Sequence, residues 1–479
     1  MTETYRNLID GEWTASGELV ANINPSDHSD IIGHYSAAKV DDVEQAIAAA
    51  RRAGPAWAET GLEQRKAALD FIGDELIARS EEIGRVIARE EGKTIAEGKG
   101  EVFRSGQFFQ YYAAECLRQI GEQAASVRPG VDVEITREPV GVVGVITPWN
   151  FPVAVAAWKI APALAFGNSV VLKPSETTPA SAAILADIVH RSGLPSGTFN
   201  MVIGEGHNVG NALASSPGID AVTFTGSVAV GREIAQSAIA NMARIQLEMG
   251  SKNALVVLND ADMDLAVQCA IGGAFFGTGQ KCTASSRLVV EEQVHDEFVE
   301  RMIAAAEALV VGHALDEATQ IGPVVSERQL QQNLDYLELG KSEGGEVATG
   351  GELLELATKG NFMRPAIFTS TDNSMRINRE EIFGPITSVI KVADYDEALA
   401  VSNDTDFGLT SGIMTNSLSR ARHFKRHSQS GCVMVNLPTA GTDYHVPFGG
   451  RKASSYGPRE QGTYAKDFYT IVKTSYIGG

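Results

Sequence analysis

The stretch "GVVGVITPWNFPVAVAAWKIAPALAFGNSVVLK", residues 141–173, decides the fold. A Val/Ile-rich run, a helical stretch carrying Lys159 and Pro162, and a second Val-rich run follow one another. The same alternation continues downstream. "FNMVIG" and "AVTFTG" read as strands, while "PASAAILADIVHRSG", "HNVGNALASS" and "VAVGREIAQSAIA" read as helices. Short apolar strands alternating with helices predict an α/β fold: a parallel sheet covered by helices on both faces. A second such region follows "IQLEMGSKNALVVLND", with "SSRLVVEEQ", a helix over 295–311, then "ITSVIKVA", "SGIMTNS" and "CVMVNLPT". The boundary between the two units is expected near 247–252. Upstream, residues 40–121 repeat apolar residues at three- and four-residue spacing and read mostly as helices.

The chain has 479 residues, enough for two or three domains. Hydrophobic content of 44% and charged content of 21% fit a folded rather than a disordered chain. No apolar run approaches the ~18 residues of a membrane span. The start, "MTETYRNLIDGEW", has no basic region followed by an apolar one, so the expected location is the cytoplasm. A net charge of −20 without a basic stripe excludes a nucleic-acid surface. Cys116, Cys269, Cys282 and Cys432 are far apart, and the nine histidines are scattered. Neither disulfides nor a metal site is expected.

In an open parallel sheet, ligands bind beyond the carboxyl ends of the strands. "VTFTGSVAVG" ends a strand at Thr225 and starts a helix near Ser227. Gly226 permits close backbone approach, and the helix N-terminus suits a pyrophosphate. A simple glycine cap explains the same residues. "VVLKPSETTP" places Lys173, Ser175 and Glu176 at a second strand end. Lys173 and Glu176 either hold ribose hydroxyls or form a surface pair. "VITPWNFP" sets Asn150 among aromatics and prolines, a stiff loop suited to hold an amide.

Glu248 ends the strand-like "RIQLEMG" among apolar neighbours. Burial raises a carboxylate's pKa and makes it a better base near neutrality; a structural salt bridge is the alternative. Cys282 lies in "FGTGQKCTASSRL". A helix starting after it, together with Lys281, would favour thiolate, whereas a lone cysteine also serves as inert core. Together, a thiolate, a base, a rigid amide and a dinucleotide site make one chemistry. The thiolate adds to an aldehyde, hydride leaves to a nicotinamide, and water releases the acid from the thioester. The Asn150 NH2 and the Cys282 backbone N–H would hold the oxyanion.

"TPWNFP", "LKPSE", "FTGS", "LEMGSKN", "FGTGQKC", "EEIFGP" and "PFGGRKASSYGPREQG" occur in this order. In these blocks the chain resembles the aldehyde dehydrogenase superfamily over about residues 20–479. The resemblance implies Cys282 as nucleophile, Glu248 as general base and Asn150 as oxyanion donor. Lys159 joins the catalytic group, and Glu460 stands behind the base as a proton relay. It places NAD or NADP on Lys173, Ser175, Glu176, Gly226 and Ser227, with Glu381 and Phe383 at the nicotinamide ribose and ring. Ile146, Thr147, Pro148, Trp149, Gly206, Gly210, Phe224, Thr225 and Gly250 complete the implied cofactor set.

The implied architecture is a Rossmann-like NAD(P)-binding domain (1–121 and 140–247), a catalytic domain (248–448) and a small β arm (122–139 and 464–479). The arm implies a homo-oligomer, a dimer or tetramer, because its edge would pair with another copy. Ser251 departs from the family's usual second glycine and is expected to crowd the backbone slightly.

"GQKCTASSRL" and "NLPTAGTDYHVPFGGRKASSYGPREQG" most resemble the α-ketoglutarate semialdehyde (2,5-dioxopentanoate) dehydrogenases. An acidic semialdehyde needs a cation at the far end of its tunnel. Succinate semialdehyde dehydrogenases typically place an Arg where this chain has Trp158. Arg104 is the candidate replacement, unless it pairs with Glu101 or Glu115. Phe151, Trp158, Phe276 and Phe448 are expected as walls, with Lys281, Thr283, Thr442 and His445 as polar contacts. Glu176 favours a free 2′-hydroxyl, yet Lys173 and Ser175 can accommodate a phosphate, so use of both NAD and NADP is expected. The rival readings are a succinate semialdehyde or broad-range aliphatic enzyme, a CoA-acylating enzyme, a cysteine hydrolase, and a non-catalytic binding protein on the same scaffold.

Overall fold

Eight strands form the first sheet of the computed structural model, which describes residues 3–118 and 121–478. Five central strands run parallel in the order Arg244–Glu248, Ala221–Thr225, Val142–Ile146, Ser169–Lys173, Phe199–Met201. Val142–Ile146 and Ser169–Lys173 are buried along their whole length, as a sheet covered on both faces requires. Antiparallel additions close both edges. Asn7–Ile9 and Glu12–Thr14 lie on one side, and Ser455–Tyr456 lies on the other. The chain leaves Val142–Ile146 toward Ser169–Lys173 and later returns to its other side at Ala221–Thr225. That reversal opens a crevice at the carboxyl ends of Val142–Ile146 and Ala221–Thr225.

The second sheet has seven strands, ordered Glu346–Thr349, Ala366–Thr371, Ile386–Val392, Ser285–Glu291, Asn253–Val257, Thr410–Met414, Cys432–Val435. All pairings are parallel except that of the Glu346–Thr349 edge. The chain passes directly from the first sheet at Glu248 to the second at Asn253. A third sheet of Glu122–Ala125, Val131–Pro139 and Thr470–Gly478 is antiparallel, and its edge strand exposes Ile471, Val472, Tyr476 and Ile477.

Four helices, Val40–Glu59, Leu62–Ala78, Ser80–Glu91 and Ile95–Glu115, occupy the region read as helical. The expected 295–311 helix lies at Glu292–Glu307. "HNVGNALASS" is not one helix; a π-turn at Gly206–Gly210 precedes a short helix, Asn211–Ser215. Among the described residues no helix is long and apolar enough to cross a membrane, and no group of three or more side chains has metal-ligand geometry.

Arg287 is a fully buried cation, with 0% exposure. Its guanidinium donates to the carbonyls of Lys252, Val401 and Ser402 and to Asn373 Oδ1, at 2.8–3.2 Å. It thereby ties the strand Ser285–Glu291 to the segment joining the two sheets and to the helix Tyr395–Asn403. Replacing Arg287 with Met strands three buried carbonyls, each worth about 1–3 kcal/mol. The variant should melt several degrees lower by calorimetry; an unchanged midpoint contradicts this bridging role.

Candidate active site

The site is built first from helix Ile95–Glu115. Thr94 and Glu97 form a reciprocal cap at its start. Glu97 also accepts the Gly277 N–H at 2.7 Å, anchoring the loop that leads to Cys282. One turn on, buried Glu101 pairs with Lys93 Nζ at 2.7 Å and accepts the N–H groups of Val153 and Ala154. The Lys93 ammonium donates to the Asn150 carbonyl at 2.6 Å and lies 4.1 Å from the Phe151 ring centroid. These contacts fix the backbone of the Asn150 loop. The Asn150 side-chain NH2 donates to the Gln280 carbonyl at 2.9 Å, leaving it a second N–H.

Cys282 is not followed by a helix. It follows a tight 3₁₀ turn, Phe276–Gly279, in which Gly277, Thr278 and Gly279 all have positive φ, and it precedes the strand Ser285–Glu291. The expected helix-terminal activation is therefore absent. Lys281 also turns away: its Nζ donates to the Gly272 carbonyl at 3.0 Å, and it does not line the cavity. Asn253 holds the cysteine loop instead, its NH2 bridging the carbonyls of Cys282 and Ala284 at 2.8 and 2.9 Å. Ser251, expected to crowd the backbone, is integrated; its hydroxyl donates to Asn253 Oδ1 at 2.6 Å.

Glu248 is 3% exposed and accepts the Ser455 hydroxyl at 2.5 Å. Burial, then the charge of Glu460, raises its pKa well above the usual carboxylate range. Glu460 lies behind it, paired with fully buried Lys159, which also donates to Thr223 Oγ1 at 2.8 Å. Lys159 and Glu460 do not line the cavity, so they act on the site only through neighbours. Glu381 accepts the Ser251 N–H at 2.8 Å, and burial lifts its pKa to about 7. Sequence reasoning missed Ser455, Asn253 and Gln461. Ser455 and Gln461 stand in the quoted "PFGGRKASSYGPREQG" and Asn253 in "LEMGSKN", but only the folded chain brings them to the base and the cysteine.

Cys282 and Glu248 line one cavity of about 540 Å³. From the implied cofactor set, Pro148, Trp149, Thr225, Gly226, Ser227 and Gly250 line it, as do Glu381 and Phe383. Trp149 and Phe383 stack edge-on, 5.4 Å apart. Thr147 and Thr225, at adjacent strand ends, have buried hydroxyls without partners. A Cβ on Gly226 would come within 2.5 Å of the Phe224 ring, so the backbone before the helix Val228–Ala240 stays bare. Orphaned hydroxyls and a bare strand–helix turn fit a dinucleotide. Lys173 and Glu176 pair at 2.8 Å away from this cavity, beside Gly206. Ser175 accepts the Thr177 N–H, and Ile146, Phe224 and Gly210 are buried supports that do not line the cavity.

Arg104, Phe108, Phe151, Trp158 and Phe448 also line the cavity. Trp158 packs on Phe108 and Phe448 with centroids 5.9 and 5.6 Å apart. Arg104 has no ion pair among the described residues, because Glu101 is taken by Lys93 and Glu115 by Arg118. Its guanidinium lies 5.4 Å from the Tyr444 ring centroid. Thr283 and Thr442 also line the cavity. Phe276 and His445 do not: both are exposed, and His445 packs against Tyr444.

Burial, then the carboxylates of Glu381 and Glu248, pushes the Cys282 thiol well above its ordinary pKa. Thiolate is the reactive form, so its share rises with pH up to that raised value. Iodoacetamide labelling of Cys282 in the cofactor-free protein should accelerate roughly tenfold per pH unit between about pH 7 and pH 9. A plateau at neutral pH contradicts the raised thiol.

The aldehyde dehydrogenase family model matches residues 13–475. The alpha-ketoglutaric semialdehyde dehydrogenase of Bacillus subtilis is 43% identical, over 99% of this chain and 98% of its own length. A 2,5-dioxopentanoate dehydrogenase of Saccharolobus solfataricus is 38% identical, over 99% of this chain and 100% of its own. The crystal structure of a betaine aldehyde dehydrogenase from Staphylococcus aureus, in complex with NAD+, superimposes with a TM-score of 0.97 at 34% identity, covering 99% of this chain and 95% of that one. The chain therefore belongs to the aldehyde dehydrogenase family.

Proposed function

We propose that the protein is an NAD(P)-dependent dehydrogenase that oxidises a carboxylate-bearing aldehyde, α-ketoglutarate semialdehyde above others, to the acid. The observation that carries this reading is Arg104, a guanidinium without a carboxylate partner in the wall of an apolar chamber that also holds Cys282. A substrate carboxylate would supply that partner through a charge-assisted bond. The same cation disfavours a quaternary ammonium aldehyde. The two named semialdehyde relatives support the choice.

The residues act in sequence. Arg104 draws the carboxylate to the far end, and the aromatic walls exclude water. The aldehyde oxygen meets the free Asn150 N–H and the Cys282 backbone N–H, where negative charge develops. The Cys282 thiol gives its proton to solvent as its sulfur bonds the carbonyl carbon, giving a thiohemiacetal oxyanion; loss of hydride from that carbon leaves the Cys282 thioester. A bound nicotinamide supplies the hydride acceptor, and Glu381 and Phe383 are the residues that would hold its ribose and ring. Glu248 then takes a proton from the water that cleaves the Cys282 thioester. Its raised pKa makes it a strong base once ionised, and Ser455 orients it. The presence of Glu248 favours water over CoA as the acyl acceptor.

Assays with NAD and with NADP against α-ketoglutarate semialdehyde, succinate semialdehyde, glutaraldehyde and an aliphatic aldehyde test the reading. The dicarbonyl acid should give the highest kcat/KM. Arg104→Met should lower it by ~10²-fold on acid substrates and little on neutral ones, since a charge-assisted pair is lost. Activity should appear with both nucleotides: Glu176, paired with Lys173, suits a free 2′-hydroxyl, and Lys173 and Ser175 take a 2′-phosphate when Glu176 swings away. A preference for aliphatic aldehydes, or an Arg104→Met variant unaffected on acids, contradicts the substrate assignment.

A further inference from the structure

Gln461 lies in the cavity wall with Arg104, Phe108, Trp158 and Phe448. Its residue is 1% exposed, and neither its side-chain Nε2 nor its Oε1 has a hydrogen-bond partner. Buried primary amides are normally paired, because an unmet N–H or C=O keeps its full desolvation cost. The backbone is also unusual. Gln461 has φ +63° and ψ 169°, a region that essentially only glycine occupies without strain.

The surroundings enforce that conformation. Glu460 and Phe448 exchange backbone hydrogen bonds at 2.8 and 3.0 Å just before it. Tyr112 donates to the Gly462 carbonyl at 3.0 Å just after it. Gln246 donates to the carbonyls of Pro458 and Arg459. The chain thus holds a strained residue with an unpaired amide in a wall that also carries Arg104, Phe108, Trp158 and Phe448. Tyr112 shares its helix with Arg104, so the segment bearing Gln461 is fixed to the element that carries the cation.

We propose that the Gln461 amide is a specificity-determining group that donates a hydrogen bond to the 2-oxo oxygen beside the substrate carboxylate. This rests on the reading of α-ketoglutarate semialdehyde as substrate and deepens it. The keto oxygen accepts and never donates, which matches the amide N–H. It adjoins the carboxylate that Arg104 takes, so one cavity end reads both groups. An aldehyde acid with a methylene in place of the keto carbon leaves the amide unpaired. Sites built to bond a polar group reject analogues lacking it far more strongly than apolar pockets reject extra atoms. Trp158, whose buried Nε1–H also lacks a partner, is the competing donor.

The test compares kcat/KM for α-ketoglutarate semialdehyde and for glutarate semialdehyde, its methylene analogue, in wild type, Gln461→Leu, Gln461→Gly and Trp158→Phe. Wild type should favour the oxo acid by about tenfold or more. Both Gln461 variants should bring the ratio near one by losing the oxo acid while retaining the analogue, and Trp158→Phe should preserve it. Gln461→Gly suits the local φ, so it reports even where the Leu variant misfolds. A ratio unchanged in the Gln461 variants, a parallel fall on both substrates, or a collapse in Trp158→Phe alone overturns the assignment to Gln461. A wild type without preference for either acid over aliphatic aldehydes overturns the substrate reading itself, and this is seen before any variant is measured.

Discussion

The site depends on a crossing at Gly250. Here the chain leaves one sheet and enters the other, and a Cβ would collide with the Glu381 carboxylate. Only a bare backbone lets Glu381 approach and accept the next N–H, that of Ser251. From this crossing the other groups are set by short reach. Glu248 stands two residues before it at the end of its strand. Asn253 stands three residues after it and holds the Cys282 carbonyl. Glu248, the Cys282 loop and the Glu381 carboxylate are thus spaced by one segment of backbone.

The second constraint is dryness. Glu248, Glu460, Glu101, Lys93 and Lys159 are all nearly or fully buried, and Glu381 is half-buried. Those with partners form compact sets, Lys93 with Glu101 and Lys159 with Glu460. Among the described residues neither Glu248 nor Glu381 forms an ion pair, and burial lifts the pKa of both. Their negative charge opposes a thiolate at Cys282, whose pKa burial also raises.

Much of this was legible in the sequence. "AVTFTGS" announced its strand, turn and helix because valine, glycine and a capping serine each have one strong local preference. That Cys282, Glu248 and Asn150 share one cavity was legible because their neighbours are short, distinctive blocks. The turn before Cys282 was not. Three consecutive positive φ angles at Gly277, Thr278 and Gly279 are imposed by contacts such as Thr278 to the Gly322 carbonyl, which local propensity does not encode. The direction of Lys281 was lost for the same reason. Ser455 and Gln461 lie more than two hundred residues from Glu248, and their roles arise from strand pairing between Ser455 and Glu248 and from the Phe448–Glu460 bridge. Ser251 looked like a defect when judged as a departure from glycine; its hydrogen bond to Asn253 exists only in the fold.

The central claim is that Cys282 carries the acyl group and Glu248 releases it. The most direct measurement is intact-protein and peptide mass spectrometry of Glu248→Gln, acid-quenched seconds after mixing with NAD and α-ketoglutarate semialdehyde. The account predicts an acyl adduct on the Cys282 peptide that accumulates in the variant and not in wild type. No adduct in either protein, or an adduct on another cysteine, would contradict it.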